Sequence, residues 1–424
     1  MPELDRDAHI ADFADFIRES PSSYHAAAAV AARLGADGFE RLEERDEWPS
    51  TAGRRVVVRD GAVIAWVQPE AATDTTPFRI LGAHTDSPSF KLKPGPSPTA
   101  EGLLQAGVEV YGGPLLNSWL DRELELAGRI VTRDGAEHLV RTGPFLRIPQ
   151  LAIHLDRDVS KALTLDKQRH LQPVWGSATA GDLLAHLVGI AGVELGDVGG
   201  HDLLVADTQA PERFGLHDAF FAAGRMDNLT SVHAGLVALL AAPADAGHVS
   251  VLAAFDHEEL GSESRSGASG PFLEDVLVRI AAGLGADATA RRRAFADSWL
   301  LSSDAGHAVH PNYPERHDPG NRPRLGGGPL LKLNANQRYA SDAVGAALWA
   351  RVCRQGGVGT QPFVSNNSIP CGSTIGPLSA TRLGIRTVDV GTPLLSMHSA
   401  RELAHVDDLV ALAAAVAAFF APAD

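Results

Sequence analysis

The chain has 424 residues, 45% of them hydrophobic and 21% charged, which is enough apolar material for two domains or one elaborated one and carries no signature of disorder. Its 52 acids against 37 bases give a formal net charge of −15, which excludes a nucleic-acid surface; the run Arg291-Arg292-Arg293 reads as a solvated helix face. Two cysteines, Cys353 and Cys371, offer neither a disulfide framework nor a thiolate cluster, so any bound metal must take oxygen and imidazole donors.

The opening Met1-Pro2-Glu3-Leu4-Asp5-Arg6 lacks the basic-then-apolar pattern of a signal peptide, and the apolar tract at 409–421 is too short to span a bilayer. A cytoplasmic protein with no membrane partner is expected. Residues 7–19 and 23–34 carry helical apolar spacing, the second run opened by the capping hydroxyls of Ser20-Pro21-Ser22-Ser23. Strands at 55–58 and 62–67 flank the Asp60-Gly61 hairpin turn, which makes the sheet mixed. The apolar run 78–83 then ends in His84-Thr85-Asp86. There the imidazole can ligate a metal while the carboxylate fixes its tautomer; a satisfied histidine at a strand end is the plainer reading.

From residue 91 to about 207 the texture changes. Proline and glycine punctuate 94–98, short β-like runs follow at 108–111, 124–132 and 138–141, and Asp134-Gly135 marks another turn. This reads as an inserted, mostly antiparallel module between halves of an α/β domain. Within it Ile148-Pro149-Gln150-Leu151-Ala152-Ile153-His154 ends in a histidine beside apolar residues, by itself more often a core histidine. The glycine-rich pieces at 196–200 and 326–328 read as loops.

Asp227 stands just before a helical run at 230–241, where an acid is first of all a cap worth about 1 kcal/mol. The almost continuously apolar run 249–255 reads as a buried parallel strand and breaks into Asp256-His257-Glu258-Glu259. Two adjacent carboxylates at such a strand end can divide two jobs, an oxygen donor to a metal and a general base. After a strand at 298–302 comes Asp304-Ala305-Gly306-His307-Ala308-Val309-His310, able to hold metal or substrate or to be a polar loop. Lys332 interrupts the apolar segment 330–333 and should snorkel outward. A helix at 341–354, a turn-rich segment at 366–377, a strand at 386–390, Met397-His398-Ser399 and an amphipathic helix at 406–420 complete the order.

His84, Asp227, Glu259, Asp304 and His398 each follow a predicted strand or precede a helix, at the edge where α/β sites assemble. With a bridging carboxylate they make a two-metal site: Asp227 between the ions, His84 and Asp304 on one, Glu259 and His398 on the other. Spacing does not decide which acid bridges. The donor mix suits zinc, with manganese or cobalt also able to serve.

The chain resembles the aspartyl aminopeptidases, cocatalytic metallopeptidases of the zinc-aminopeptidase clan. The resemblance lies in Ser20-Pro21-Ser22-Ser23-Tyr24-His25, Ala83-His84-Thr85-Asp86-Ser87-Pro88, Trp119-Leu120-Asp121-Arg122-Glu123-Leu124, Asp256-His257-Glu258-Glu259-Leu260-Gly261-Ser262, His307-Ala308-Val309-His310-Pro311-Asn312 and Ser396-Met397-His398-Ser399-Ala400-Arg401-Glu402. It implies a zinc-aminopeptidase-like α/β fold, a mixed β-sheet flanked by helices at 1–92 and 208–424, with an inserted, mostly-β dimerisation domain at 93–207. It also implies two divalent metal ions on the five residues named, Glu258 as base and Asp86 in support. His154 would reach a neighbouring subunit's site, His310, Lys332 and Tyr339 would line the substrate pocket, and dimers would build a tetrahedral dodecamer. The implied substrates are peptides with a free N-terminus, Asp or Glu preferred, since a buried lysine selects an acid that pairs with it.

One departure bears on that preference: Asn366, Asn367 and Ser368 stand where many family members carry Arg-x-Asp. Rival readings are an aminopeptidase of broader specificity, a metal-dependent carboxypeptidase or deacylase on the same scaffold, and a non-catalytic binding protein. The last is disfavoured because Glu258, needed for proton transfer but not for holding metal, is present.

Overall fold

The structure, a computed structural model, describes residues 4–95, 98–179 and 181–422. Met1, Pro2 and Glu3 of the opening hexapeptide, and Pro96 and Ser97 of the 94–98 punctuation, lie outside the described residues. Nine strands form the central mixed sheet: β1 (Glu40–Arg41), β2 (Gly53–Arg59), β3 (Ala62–Gln68), β4 (Phe78–His84), β5 (Val249–Phe255), β6 (Trp299–Ser303), β7 (Leu330–Leu333), β8 (Gln361–Val364) and β9 (Arg386–Gly391). Across the sheet they run β1-β2-β3-β5-β4-β6-β9-β7-β8. The middle four, β5, β4, β6 and β9, are mutually parallel, so their C-terminal ends share one edge.

Helices cover both faces, which is why Val249–Phe255 reads as a nearly continuous apolar run. Leu81, Ala83, Leu252 and Ala254 face the helices Arg6–Glu19, Ser23–Ala36, Met226–Leu240, Ala343–Gln355 and Val406–Phe420. Phe78, Ile80, Val251, Ala253 and Phe255 alternate to the other face, against Phe272–Gly283, Ala288–Asp297 and Ile375–Leu383. Phe255 is fully buried, worth about 1.5–3 kcal/mol to the fold. The expected cap forms at the second helix, where Ser22 accepts from the His25 amide, and Asp5 caps the first by accepting from the Ala8 amide. The three basic residues at 291–293 do lie in a helix. Among the described residues no helix is long and apolar enough to cross a membrane.

The segment between β4 and β5 carries a second, antiparallel five-stranded sheet, in the order Glu137–Arg141, Leu124–Thr132, Val198–Asp207, Ser89–Leu92, Val108–Tyr111. It has its own apolar cluster, with Phe90, Trp119, Leu126, Leu187 and Leu203 buried together. Ser89–Leu92 pairs in this sheet although it lies on the 1–92 side of the expected division. Gly199 and Gly200 belong to its longest strand rather than to a loop, at a bulge where the register slips between Val198 and Gly200. A bulge glycine has no side chain to show the alternating pattern, so the strand start is hidden.

A third sheet, Glu212–Phe214, Phe220–Ala223 and Glu402–His405, pairs Ala223 with Glu402. That register sets the segment carrying Asp227 beside the one carrying His398.

Candidate metal centre

Three parallel strand ends supply the floor of the site. His84 is the last residue of β4, aligned with Phe255 of β5; Asp304 follows β6; Glu258 and Glu259 open a single 3₁₀ turn after β5. His257 and Gly261, at φ 63° and 91°, turn the chain on either side of the two acids. Asp227 does not cap its helix. Its amide donates to Glu402 Oε2 at 3.0 Å, its backbone is non-helical, and its peptide to Asn228 is cis.

The five candidate donors converge. His84 Nε2 lies 3.3 Å from Asp227 Oδ1 and 3.4 Å from Asp304 Oδ1, while His398 Nε2 lies 3.4 Å from Asp227 Oδ2 and 3.5 Å from Glu259 Oε1. The sets His84/Asp227/Asp304 and Asp227/Glu259/His398 each offer three ligand atoms within 4.8 Å of one another. Asp227 belongs to both, one oxygen toward each imidazole. His84, Glu258 and Glu259 also meet that span, so Glu258 reaches the same space.

This donor set fits a divalent ion such as zinc. Asp227 Oδ1 and Glu259 Oε1 are buried with no hydrogen-bond partner among the described residues, an arrangement a cation resolves. Burial first, then the Asp227 charge, pushes the Glu259 carboxyl well above its usual range; burial, with Asp304 and Asp86 nearby and the His84 imidazole opposing, brings Glu258 up to about 8. Burial opposes ionisation of Asp227 as well, but the His398 and His84 imidazoles outweigh it and hold that carboxyl well below the usual range. So much acid in one buried place needs positive charge.

Supports surround the donors. His84 Nδ1 lies 3.0 Å from the Asp86 carbonyl oxygen and 3.4 Å from its Oδ1. The Asp86 carboxylate also accepts the Glu258 amide at 3.0 Å, the Glu259 amide at 3.2 Å and the Tyr111 hydroxyl at 2.9 Å. Glu402, 2% exposed, accepts the amides of Asp227 and His398 at 3.0 and 2.9 Å; burial and then the Asp227 charge bring its carboxyl up to about 8. The sequence assigns no role to Tyr111, at the end of the run 108–111, or to Glu402, at the end of the segment Ser396–Glu402. Tyr111 serves a carboxylate 25 residues earlier and Glu402 two backbone amides, and backbone amides leave no residue pattern; the available signal is that Glu402 stands four residues after His398.

A cavity of about 490 Å³ opens on the donors, walled by His307, Lys332, Tyr339 and Thr374. Lys332 does not snorkel: it is 2% exposed, and its Nζ donates to the Ala305 carbonyl at 2.7 Å and to Asp304 Oδ2 at 3.3 Å, 5.5 Å from the centre of the Tyr339 ring. His307, rather than His310, lines this cavity. The His310 ring packs on Tyr313 and accepts the Asn312 amide at 3.2 Å. His154 is exposed in the inserted segment and is not part of the cavity wall. Asn366 donates to the Glu315 and His317 carbonyls, so this departure from the family pattern serves a loop contact.

Residues 16–420 match the family described as aminopeptidase I zinc metalloprotease (M18). The chain is 55% identical over 419 residues to a probable M18 family aminopeptidase 2 of Streptomyces avermitilis, covering 97% of each chain. Among solved structures it is similar to Ape4 in its complex with Nbr1, with a TM-score of 0.94 and 34% identity over 98% of this chain and 86% of that one. It is likewise similar to the S. cerevisiae mApe1 dodecamer, with a TM-score of 0.86 and 29% identity over 98% and 96% of the two chains.

Proposed function

The chain belongs to the M18 family of aminopeptidase I zinc metalloproteases, and on that premise we propose that this zinc aminopeptidase removes N-terminal Asp or Glu from peptides in the cytoplasm, using two divalent ions. The observation that carries the reading is Asp227, whose two oxygens face separate imidazoles at 3.3 and 3.4 Å. His84 and Asp304 would hold one ion and Glu259 and His398 the other, with Asp227 shared; zinc suits these donors, and manganese or cobalt could replace it.

Bound zinc supplies Lewis acidity and lowers the pKa of water from about 16 toward about 7. The chain supplies the rest. Glu258, its backbone fixed by Asp86 and its carboxylate 4.0 Å from His84 Nε2, accepts the proton of the water that attacks the first peptide carbonyl and returns it to the departing amine. Asp86 orients His84 as well as both glutamates. The substrate's first side chain points to Lys332, Tyr339 and His307. Two of the three Lys332 donors are engaged by Ala305 and Asp304, and the third selects an acid. His310 would support the loop that follows His307, through its contacts with Asn312, Tyr313 and His317.

The insertion at 93–207 is proposed as a dimerisation domain and the assembly as a tetrahedral dodecamer. Support comes from the dodecameric relative and from Leu151, Ile153 and Leu155, which stand 56%, 52% and 75% exposed around His154. A second copy covering them would carry His154 toward the neighbouring site.

Turnover on dipeptides beginning with Asp, Glu, Leu or Ala, and on an N-acetylated Asp peptide, tests the reading together with zinc analysis of wild type and His398→Ala. We expect turnover of the free Asp and Glu peptides, none of the acetylated one, two ions in wild type and one in the variant. Equal rates on Leu would leave an aminopeptidase of broader specificity. Cleavage of the acetylated peptide, or a single ion in wild type, would refute the corresponding part.

A further inference from the structure

The stretch Tyr111-Gly112-Gly113-Pro114-Leu115 leaves the inserted sheet at the end of strand Val108–Tyr111 and passes along the metal centre. Tyr111 is 8% exposed, and its hydroxyl ends on Asp86 Oδ2 at 2.9 Å, the carboxylate that fixes His84, Glu258 and Glu259. Gly112, at φ 68°, lies so close to Glu259 that a Cβ would stand 3.1 Å from the Cβ of Glu259. The Gly113 carbonyl accepts from His398 Nδ1 at 3.0 Å, and the Leu115 amide donates to the His398 carbonyl at 2.8 Å. Further along, Ser118 Oγ accepts the Ala400 amide at 2.9 Å.

His398 needs such help. It sits at φ 65° in a loop, its side chain 31% exposed, with no helix or strand of its own to fix the ring. A hydrogen bond at Nδ1 sets the tautomer that leaves Nε2 free to ligate. Tyr111 pairs in register with Ser89 of its own sheet, and its hydroxyl reaches past that pair to Asp86, in the loop that joins β4 to the inserted sheet.

We propose that residues 111–115 form a strap that positions the zinc ligands from both sides, so that the inserted module is a working part of the metal centre as well as an attachment to it. Tyr111 is then a positioning residue acting through Asp86, and the backbone at Gly113 and Leu115 acts on His398. The inference rests on the reading that these donors hold zinc.

The test measures zinc affinity of the full-length protein by competition with a chromophoric chelator, for wild type, Tyr111→Phe and Leu115→Pro. The second variant deletes one amide at φ −71°, an angle proline accepts. Both should bind zinc about 10- to 100-fold more weakly, the usual cost of losing a partner behind a ligand. Excess zinc should restore turnover, and metal-free melting temperatures should stay at the wild-type value. Zinc affinities of both variants within about twofold of wild type, against the 10- to 100-fold loss just named, would overturn the proposal, as would turnover that excess zinc does not rescue. If Tyr111→Phe folds poorly, Leu115→Pro decides alone. Wild type that binds no zinc would instead refute the metal reading itself, an outcome distinct from a loss confined to the variants.

Discussion

Glu402→Gln isolates the contribution of a residue that touches neither substrate nor metal. The carboxylate accepts two amides, one from Asp227 and one from His398, with one oxygen for each. A glutamine of the same shape has a single acceptor oxygen, so one of those amides must face an NH₂ group. A cation held by Asp227 and its neighbours would favour the ionised form of Glu402, and losing one hydrogen bond to a charged acceptor costs about 1.5–3 kcal/mol. Because the affected amides belong to Asp227 and His398, the proposed ligands, most of that cost falls on ligand placement, which corresponds to zinc binding weakened about 10- to 150-fold. Chelator competition at neutral pH measures it, and the melting temperature of the metal-free protein controls for general damage. Zinc affinity within about threefold of wild type, well short of the loss expected from one such bond, would refute the reasoning and leave Glu402 as a packing residue.

Glu258→Gln should keep its zinc and lower kcat by on the order of 10² to 10⁴; near-wild-type turnover would remove Glu258 from the role of base. Lys332→Met should reduce the kcat/KM ratio of N-terminal Asp over Leu substrates by about 10- to 100-fold, the worth of one charge-assisted hydrogen bond, and an unchanged ratio would place acid selection elsewhere. His9, 7% exposed, is held down at about 4 by burial and then by His233. Its folded pKa lies below its unfolded one, so its contribution is present above about 6.5 and fades as pH falls toward 4, by up to about 3 kcal/mol. Urea midpoints measured from neutral pH down to about 4.5 should therefore fall less steeply for His9→Gln than for wild type, and parallel profiles would contradict this.

The five candidate donors stand out in the sequence because each follows a run that reads as a strand or, like Asp227, precedes one that reads as a helix; Val249–Phe255 before the paired glutamates is the clearest such run. What the chain hides is which of two similar residues points inward. His307 and His310 share one heptapeptide, and His307 reaches the cavity because the two-residue strand Gly306–His307 pairs with Pro393–Leu394, a contact with no local signature. Lys332 looked like an outward lysine, yet in Leu330–Leu333 it shares the buried face with Leu330 while Leu331 and Leu333 are only partly covered. A four-residue strand carries too few positions for that alternation to be read with a charge in it. Glu402 is hidden for a related reason, since a side chain that serves distant backbone amides leaves no periodicity, and Tyr111 because its partner is a carboxylate outside its own strand.

The pairing of Phe220–Ala223 with Glu402–His405 bears on when peptide-cleaving power arises during synthesis. Ribosomes release this chain from its amino end, and the donors span residues 84 to 398. A nascent polypeptide therefore lacks a complete centre until residues near 400 have emerged and docked beside a strand made long before. A hydrolase built this way is inert while it is being translated.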